Sequence, residues 1–142
     1  MLEQLDEAAS LRMVSDGGVG RIAFTSRFGP AVLPVNYKLH EGTVVFRTVL
    51  GSPLDEDLRT GISGTEYHVA FEIDEIDTAA REGWSVLIQG SAHHVDSAAE
   101  RASLIQAGVE PWPGGERELF IRIVPRHVSG RRIRHADRPA GG

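Results

Sequence analysis

Residues 33–54 read LPVNYKLHEGTVVFRTVLGSPL, and the organisation of the chain follows from that run. Segments 32–37 and 43–48 are rich in the β-branched and aromatic residues of strands. Between them, residues 38–42 are polar at the tip and end in Gly42, which predicts a hairpin connection. After the second strand come Arg47, Thr48, Gly51 and Ser52. Ser52 is a good N-cap and Pro53 suits the first helical position, so a strand here hands over to a helix. Such a junction offers backbone N–H groups, two hydroxyls and a guanidinium to an anion such as a phosphate. It serves equally as a capped helix with no ligand. Asp55, Glu56 and Asp57 already answer the helix dipole and would repel a phosphate.

Upstream, residues 3–15 place Leu5, Ala8, Ala9, Leu11 and Met13 on an amphipathic helix, ended by Asp16, Gly17 and Gly18. Residues 19–25 (VGRIAFT) alternate apolar and polar, which predicts a half-buried strand before a turn at 26–30. Downstream, a helix at 53–60 leads through GISGT to a strand at 67–74 and a polar turn. Residues 84–95 predict a long strand in which Gly90 marks a bulge or bend. A helix at 97–107 stops at Gly108. Strands at 118–124 and 128–133 follow, then a disordered basic tail at 134–142. No helix regularly separates successive strands. The expected fold is therefore mainly β: one domain over residues 1–133, a six- to seven-stranded antiparallel barrel with helices packed outside.

With 142 residues, 41% hydrophobic and 25% charged, the chain has the balance of one soluble globular domain. It contains no cysteine, which excludes disulfides, thiolate metal sites and cysteine nucleophiles. The first ten residues lack the basic-then-apolar pattern of a signal peptide, and no apolar run approaches a membrane span, so a cytoplasmic protein is expected. Net charge is −5, with Arg126, Arg131, Arg132, Arg134 and Arg138 gathered near the C-terminus. An acidic body and a basic tail without interleaved aromatics argue against a nucleic-acid partner.

Other constellations carry less chemistry. His93 and His94 are adjacent in a strand and point to opposite faces, so they cannot chelate one ion together, and no metal site is expected. Glu72, Asp74, Glu75 and Asp77 lack the glycine and distal glutamate of a calcium loop. Ser52 lies in no nucleophile-elbow pattern, and Gly17, Gly18 and Gly20 lack dinucleotide spacing. Trp84 and Trp112 serve either as core or interface packing, or as aromatic walls, Trp112 then acting as a lid on its proline-framed loop. Arg131 and Arg132 belong either to a solvated basic end or to contact with an acidic substrate or a partner subunit.

Six fragments occur in register: LPVNY at 33–37, VVFRT at 44–48, GSPL at 51–54, VAFEID at 69–74, GWSVLIQGSA at 83–92 and VSGRRI at 128–133. Together they resemble the pyridoxamine 5′-phosphate oxidase-like family of flavin-binding split β-barrels, in its short actinobacterial branch with nitroimidazole-resistance-type proteins. The resemblance implies a homodimer with FMN at the subunit interface. Arg47, Thr48 and Ser52 would hold the phosphate, with Gly51 and Leu54 in the same segment. Pro34, Val35, Asn36 and Phe46 would flank the flavin, and Trp84 and Ser85 would touch it from the barrel side. Trp112 and Arg131 are the substrate candidates. The implied activity is an FMN-dependent oxidoreductase that moves electrons from NADH or NADPH to a small acceptor. A deazaflavin or haem in the same fold, or a binding barrel without catalysis, are the alternatives. Pro53 stands where many relatives carry a lysine, and Arg47 where nitroimidazole-resistance proteins often carry a histidine.

Overall fold

The structure, a computed structural model, describes residues 1–49, 51–58, 67–109 and 118–135. The elements run β1 (Leu2–Leu5), α1 (Glu7–Met13), β2 (Gly18–Ser26), β3 (Gly29–His40), β4 (Thr43–Val49), α2 (Pro53–Asp57), β5 (Tyr67–Asp77), β6 (Glu82–His94), α3 (Ala98–Gln106) and β7 (Glu118–Ile133). The strands form one antiparallel sheet in the order β1-β7-β4-β3-β2-β5-β6. Because β7 also pairs with β6, six strands close a ring and β1 is appended to β7. The β3–β4 connection is tighter than the expected 38–42. Its turn is Glu41-Gly42, with φ of 50° and 76°, the left-handed pair that a two-residue hairpin requires.

Residues 118–133 are one strand, where the sequence pattern predicts two. Gln89 pairs with His127 but Gly90 pairs with Pro125, so Arg126 is an extra residue on β7. Ile121 and Ile123 are buried before this bulge, Val128 and Gly130 after it. The inward face therefore switches from odd to even numbers, and the break in alternation mimics a strand end. A Cβ on Gly90 would stand 2.0 Å from the Val124 carbonyl oxygen, so the crossing requires glycine.

The expected helix at 3–15 is instead a strand and a shorter helix. Leu2–Leu5 pair with Ile133 back to Gly130 of β7, and Asp6 caps α1 by accepting from the Ala9 N–H at 2.7 Å. Arg134 extends that ladder: its N–H donates to Met1 and its carbonyl accepts from the N-terminal ammonium. The rest of the expected tail, 136–142, lies outside the described residues, as do the GISGT connection and the Trp112 loop.

Ile22, Phe46, Phe71, Val86, Ile88, Ile121 and Ile123 fill the ring. Each such side chain, fully buried, contributes about 1.5–3 kcal/mol. Phe71 stacks on Phe46 at 6.1 Å and meets Tyr37 edge-on at 5.3 Å. The Tyr37 hydroxyl donates to the Val14 carbonyl at 2.9 Å; burial first, then the Asp16 charge, pushes the phenol up to about 12, so it remains a donor. Leu54 of α2 and Leu58, its C-cap, join this core. On the outer side, α3 lays Leu104 over Val45 and Phe120, Arg101 sits over the Phe120 ring, and Glu100 pairs with Arg122.

Candidate functional site in the split between two strands

The ladder between β3 and β4 joins only Tyr37–His40 to Thr43–Phe46. Beyond it, β3 keeps β2 as its partner down to Gly29, while β4 keeps β7 out to Val49. The strands thus part at the Tyr37–Phe46 pair. Helix α2 follows directly from β4 and touches β2 and β4, and Leu54 and the C-cap Leu58 anchor it in the core. The parted edges carry backbone N–H and C=O groups that no β3–β4 ladder consumes.

Strand alternation decides which side chains reach this split. Pro34 and Asn36 are exposed and share the outward face of β3, while Val35 packs against the core. On β4, Val44, Phe46 and Thr48 face inward, and Val45, Arg47 and Val49 outward. Phe46 is only 1% exposed and spends its ring on Phe71, so its side chain cannot flank a ligand. Leu54 is committed to the core in the same way. Arg47 is half-buried on the opposite face from Thr48. At an unladdered edge, however, one group can be reached from both faces.

The strand-to-helix junction is knit by its own side chains. Thr48 Oγ1 and Ser52 Oγ lie 3.0 Å apart, and Ser52 Oγ accepts the Asp55 N–H at 3.2 Å. Asp55 Oδ2 accepts the Gly51 N–H at 2.8 Å, and Asp55 Oδ1 lies 2.7 Å from His94 Nε2. The N–H groups of Gly51 and Asp55 are therefore already used, contrary to a reading in which the turn's backbone grips an anion. The hydroxyls are not exhausted. Whichever of Thr48 and Ser52 donates to the other, one O–H of the pair remains to donate outward. The His94–Asp55 pair escapes sequence reasoning because its members stand 39 residues apart. Its one signal is the adjacent histidines: in a strand one of the two must face the interior and find a partner.

Trp84 and Ser85 lie elsewhere. Trp84 is half-buried against the core, and Ser85 accepts from Arg131 Nε at 3.4 Å on the outer face. They begin β6, and His94 ends it. At about 3.3 Å per residue the two groups are separated by roughly 30 Å along the strand. Ser85 and Arg131 border a groove of about 620 Å³ that also takes in Glu72, Leu87 and Ser129. Glu72 pairs with Arg21 at 3.4 Å. Burial, then Asp74, raises its carboxyl to about 7 against the opposing effect of Arg21. A second hollow, about 470 Å³, lies at the bulge between Ala23, Val32, His68, Gln89 and His127. Among the described residues no group of three or more His, Asp or Glu side chains could hold a metal, and no helix is long and apolar enough to cross a membrane.

The family model of pyridoxamine 5′-phosphate oxidase matches residues 6–132. The uncharacterized protein Rv0080 of Mycobacterium tuberculosis is 32% identical over 130 residues, 92% of this chain and 84% of that protein. Among solved structures, the FAD binding protein of Mycobacterium smegmatis is 28% identical with a TM-score of 0.75, covering 93% of this chain and all of that one (100%). An FAD-binding protein of Mesorhizobium loti shares the fold at 20% identity and a TM-score of 0.72, over 94% of this chain and 99% of that one. The seven-stranded sheet, closed as a ring and parted between β3 and β4, is the split barrel of these proteins. The chain belongs to the pyridoxamine 5′-phosphate oxidase family.

Proposed function

We propose that the chain is a flavin-dependent oxidoreductase that binds FMN in the β3–β4 split. The observation that carries this reading is the split itself: an unladdered strand edge beside a hydroxyl pair with one unspent O–H, with Arg47 half-buried on the other face of the same strand end. The donor set suits the ligand. A flavin's pyrimidine edge presents both donors and acceptors, which match free backbone N–H and C=O groups, and its phosphate takes hydroxyl and guanidinium donors. Pro34 and Asn36 would line the ring, while Arg47, Thr48 and Ser52 would hold the phosphate. A bound flavin supplies hydride acceptance from NADH or NADPH and electron delivery to a small acceptor. The protein's part is to hold, orient and exclude water.

The working unit in this reading is a homodimer. Trp84 and Ser85 sit roughly 30 Å along β6 from the junction, so both groups can serve one ligand only if two copies share it. The direct test is Arg47→Ala, with flavin binding followed by fluorescence quenching and folding by circular dichroism. FMN affinity is expected to fall roughly tenfold or more while the spectrum of the barrel is unchanged. Undiminished FMN binding would contradict the assignment. A second reading, FAD in place of FMN, is favoured by the 28% identity to the FAD binding protein of Mycobacterium smegmatis. Titrating both flavins side by side decides between them.

A further inference from the structure

His94 and Asp55 form a part-buried pair where the end of β6 meets α2. Asp55 enters from α2 with its side chain 2% exposed, and His94 enters from the end of β6 at 14%. A carboxylate can only accept, so the 2.7 Å contact places the histidine proton on Nε2, facing Asp55 Oδ1. The second carboxylate oxygen holds the Gly51 N–H at 2.8 Å. One residue on from Gly51, the Ser52 hydroxyl meets that of Thr48 at 3.0 Å. A negative charge has therefore been built in beside the two hydroxyls best placed to bind an anion. Left alone, that charge would repel a phosphate and would be costly to bury.

We infer that His94 is a positioning residue for a phosphorylated ligand. It holds Asp55 against the Gly51 turn and offsets the carboxylate's field at the Thr48–Ser52 hydroxyls, and so sets a preference for FMN over unphosphorylated riboflavin. The inference rests on the flavin reading above and deepens it. His94 touches no ligand; its effect travels through one carboxylate.

FMN and riboflavin titrated separately against the full-length protein, by fluorescence, test the idea without recourse to turnover. Wild type should favour FMN. His94→Ala should weaken FMN binding roughly tenfold and leave riboflavin within about twofold, because only the phosphate carries a charge for the carboxylate to repel. His94→Gln, whose amide can still donate to Asp55, should retain the preference. Asp55→Asn combined with His94→Ala should recover FMN binding, since an asparagine oxygen still accepts the Gly51 N–H but carries no charge. Circular dichroism reports folding throughout. If His94→Ala does not fold, His94→Gln and the single Asp55→Asn variant, which should bind FMN at least as tightly as wild type, carry the test. A preference for FMN that survives His94→Ala overturns the inference alone. So does an equal loss for both flavins, or the absence of recovery in the double variant. Wild-type protein that binds neither flavin overturns the functional reading and the inference together.

Discussion

Replacing Gly90 by alanine should cost this protein a large share of its stability. The added Cβ would lie 2.0 Å from the Val124 carbonyl oxygen, 2.9 Å from its carbon and 3.2 Å from Pro125 Cα. All three neighbours are backbone, so no side chain can rotate away. Relief requires β7 to retreat from β6 by roughly an ångström. That movement breaks ladder hydrogen bonds where the bulge already inserts Arg126 as an extra residue on β7. Overpacking costs about 1–3 kcal/mol and a stranded buried backbone group about as much again, giving about 2–6 kcal/mol in all. For a chain of this size, that lowers the melting temperature by roughly 6–24 °C. Thermal and urea unfolding followed by circular dichroism measure the loss. Gly42→Ala is the control: nothing lies within 4 Å of its Cβ, and only the positive φ of 76° resists. It should cost about 1 kcal/mol. Equal costs at the two positions would refute the argument that the strand crossing, rather than backbone freedom, demands glycine at 90.

Two further outcomes follow from single side chains. Thr48→Val keeps the volume of a residue that is 8% exposed but loses its 3.0 Å hydroxyl contact with Ser52. Stability should fall by about 1 kcal/mol, and FMN affinity by roughly tenfold or more through loss of a charge-assisted donor; calorimetry and flavin titration read the two separately. Glu72, lifted from 4.5 to about 7 by burial and then by Asp74, holds its proton in the folded state longer than in the unfolded one. Its contribution is fully present below the unfolded value and is lost as pH rises through about 7. The melting temperature should therefore decline between pH 5 and pH 8. The change should be modest, because the side chain is 36% exposed and water screens it. Glu72→Gln should flatten the decline, and an identical slope in that variant would remove Glu72 as its source.

The barrel was legible because its strands alternate and its turns use residues with clear backbone preferences. Gly42 marks the hairpin and Gly90 the bulge or bend from sequence alone. The two misreadings share a cause. At the N-terminus, Leu2 and Leu5 have helical spacing, and nothing local reveals that Gly130–Ile133 will bind them as a strand. In β7, the parity switch at Arg126 resembles a strand end because the pairing that defines it lies on β6. At the site, Ser52 was readable as an N-cap from its own neighbours, and its hydroxyl does accept from Asp55 N. That Asp55 would take the Gly51 N–H and hold His94 was not, because the partner arrives from the far end of another strand. Motif resemblance names positions without naming faces. It set Phe46 beside Pro34, Val35 and Asn36 against the flavin, and only the alternation along β4 sends the aromatic ring into the core.

That alternation also makes the shared site testable in its strongest form. The junction at the His94 end of β6, where Arg47 leaves β4, lies roughly 30 Å along β6 from Ser85 in one chain, yet the proposed site uses both. If they meet only across two copies, Arg47→Ala and Ser85→Arg each damage every site of their own homodimer, for different reasons. Mixed at equal amounts under conditions that exchange subunits, half the dimers become hybrids. In each hybrid one site carries both changes and the other carries neither. About a quarter of all sites should then regain wild-type flavin affinity, a fraction fixed by two-fold symmetry alone. If both residues served a site within one chain, no redistribution of subunits could restore any, and a flat titration after mixing would refute the shared arrangement while leaving the barrel and its split untouched.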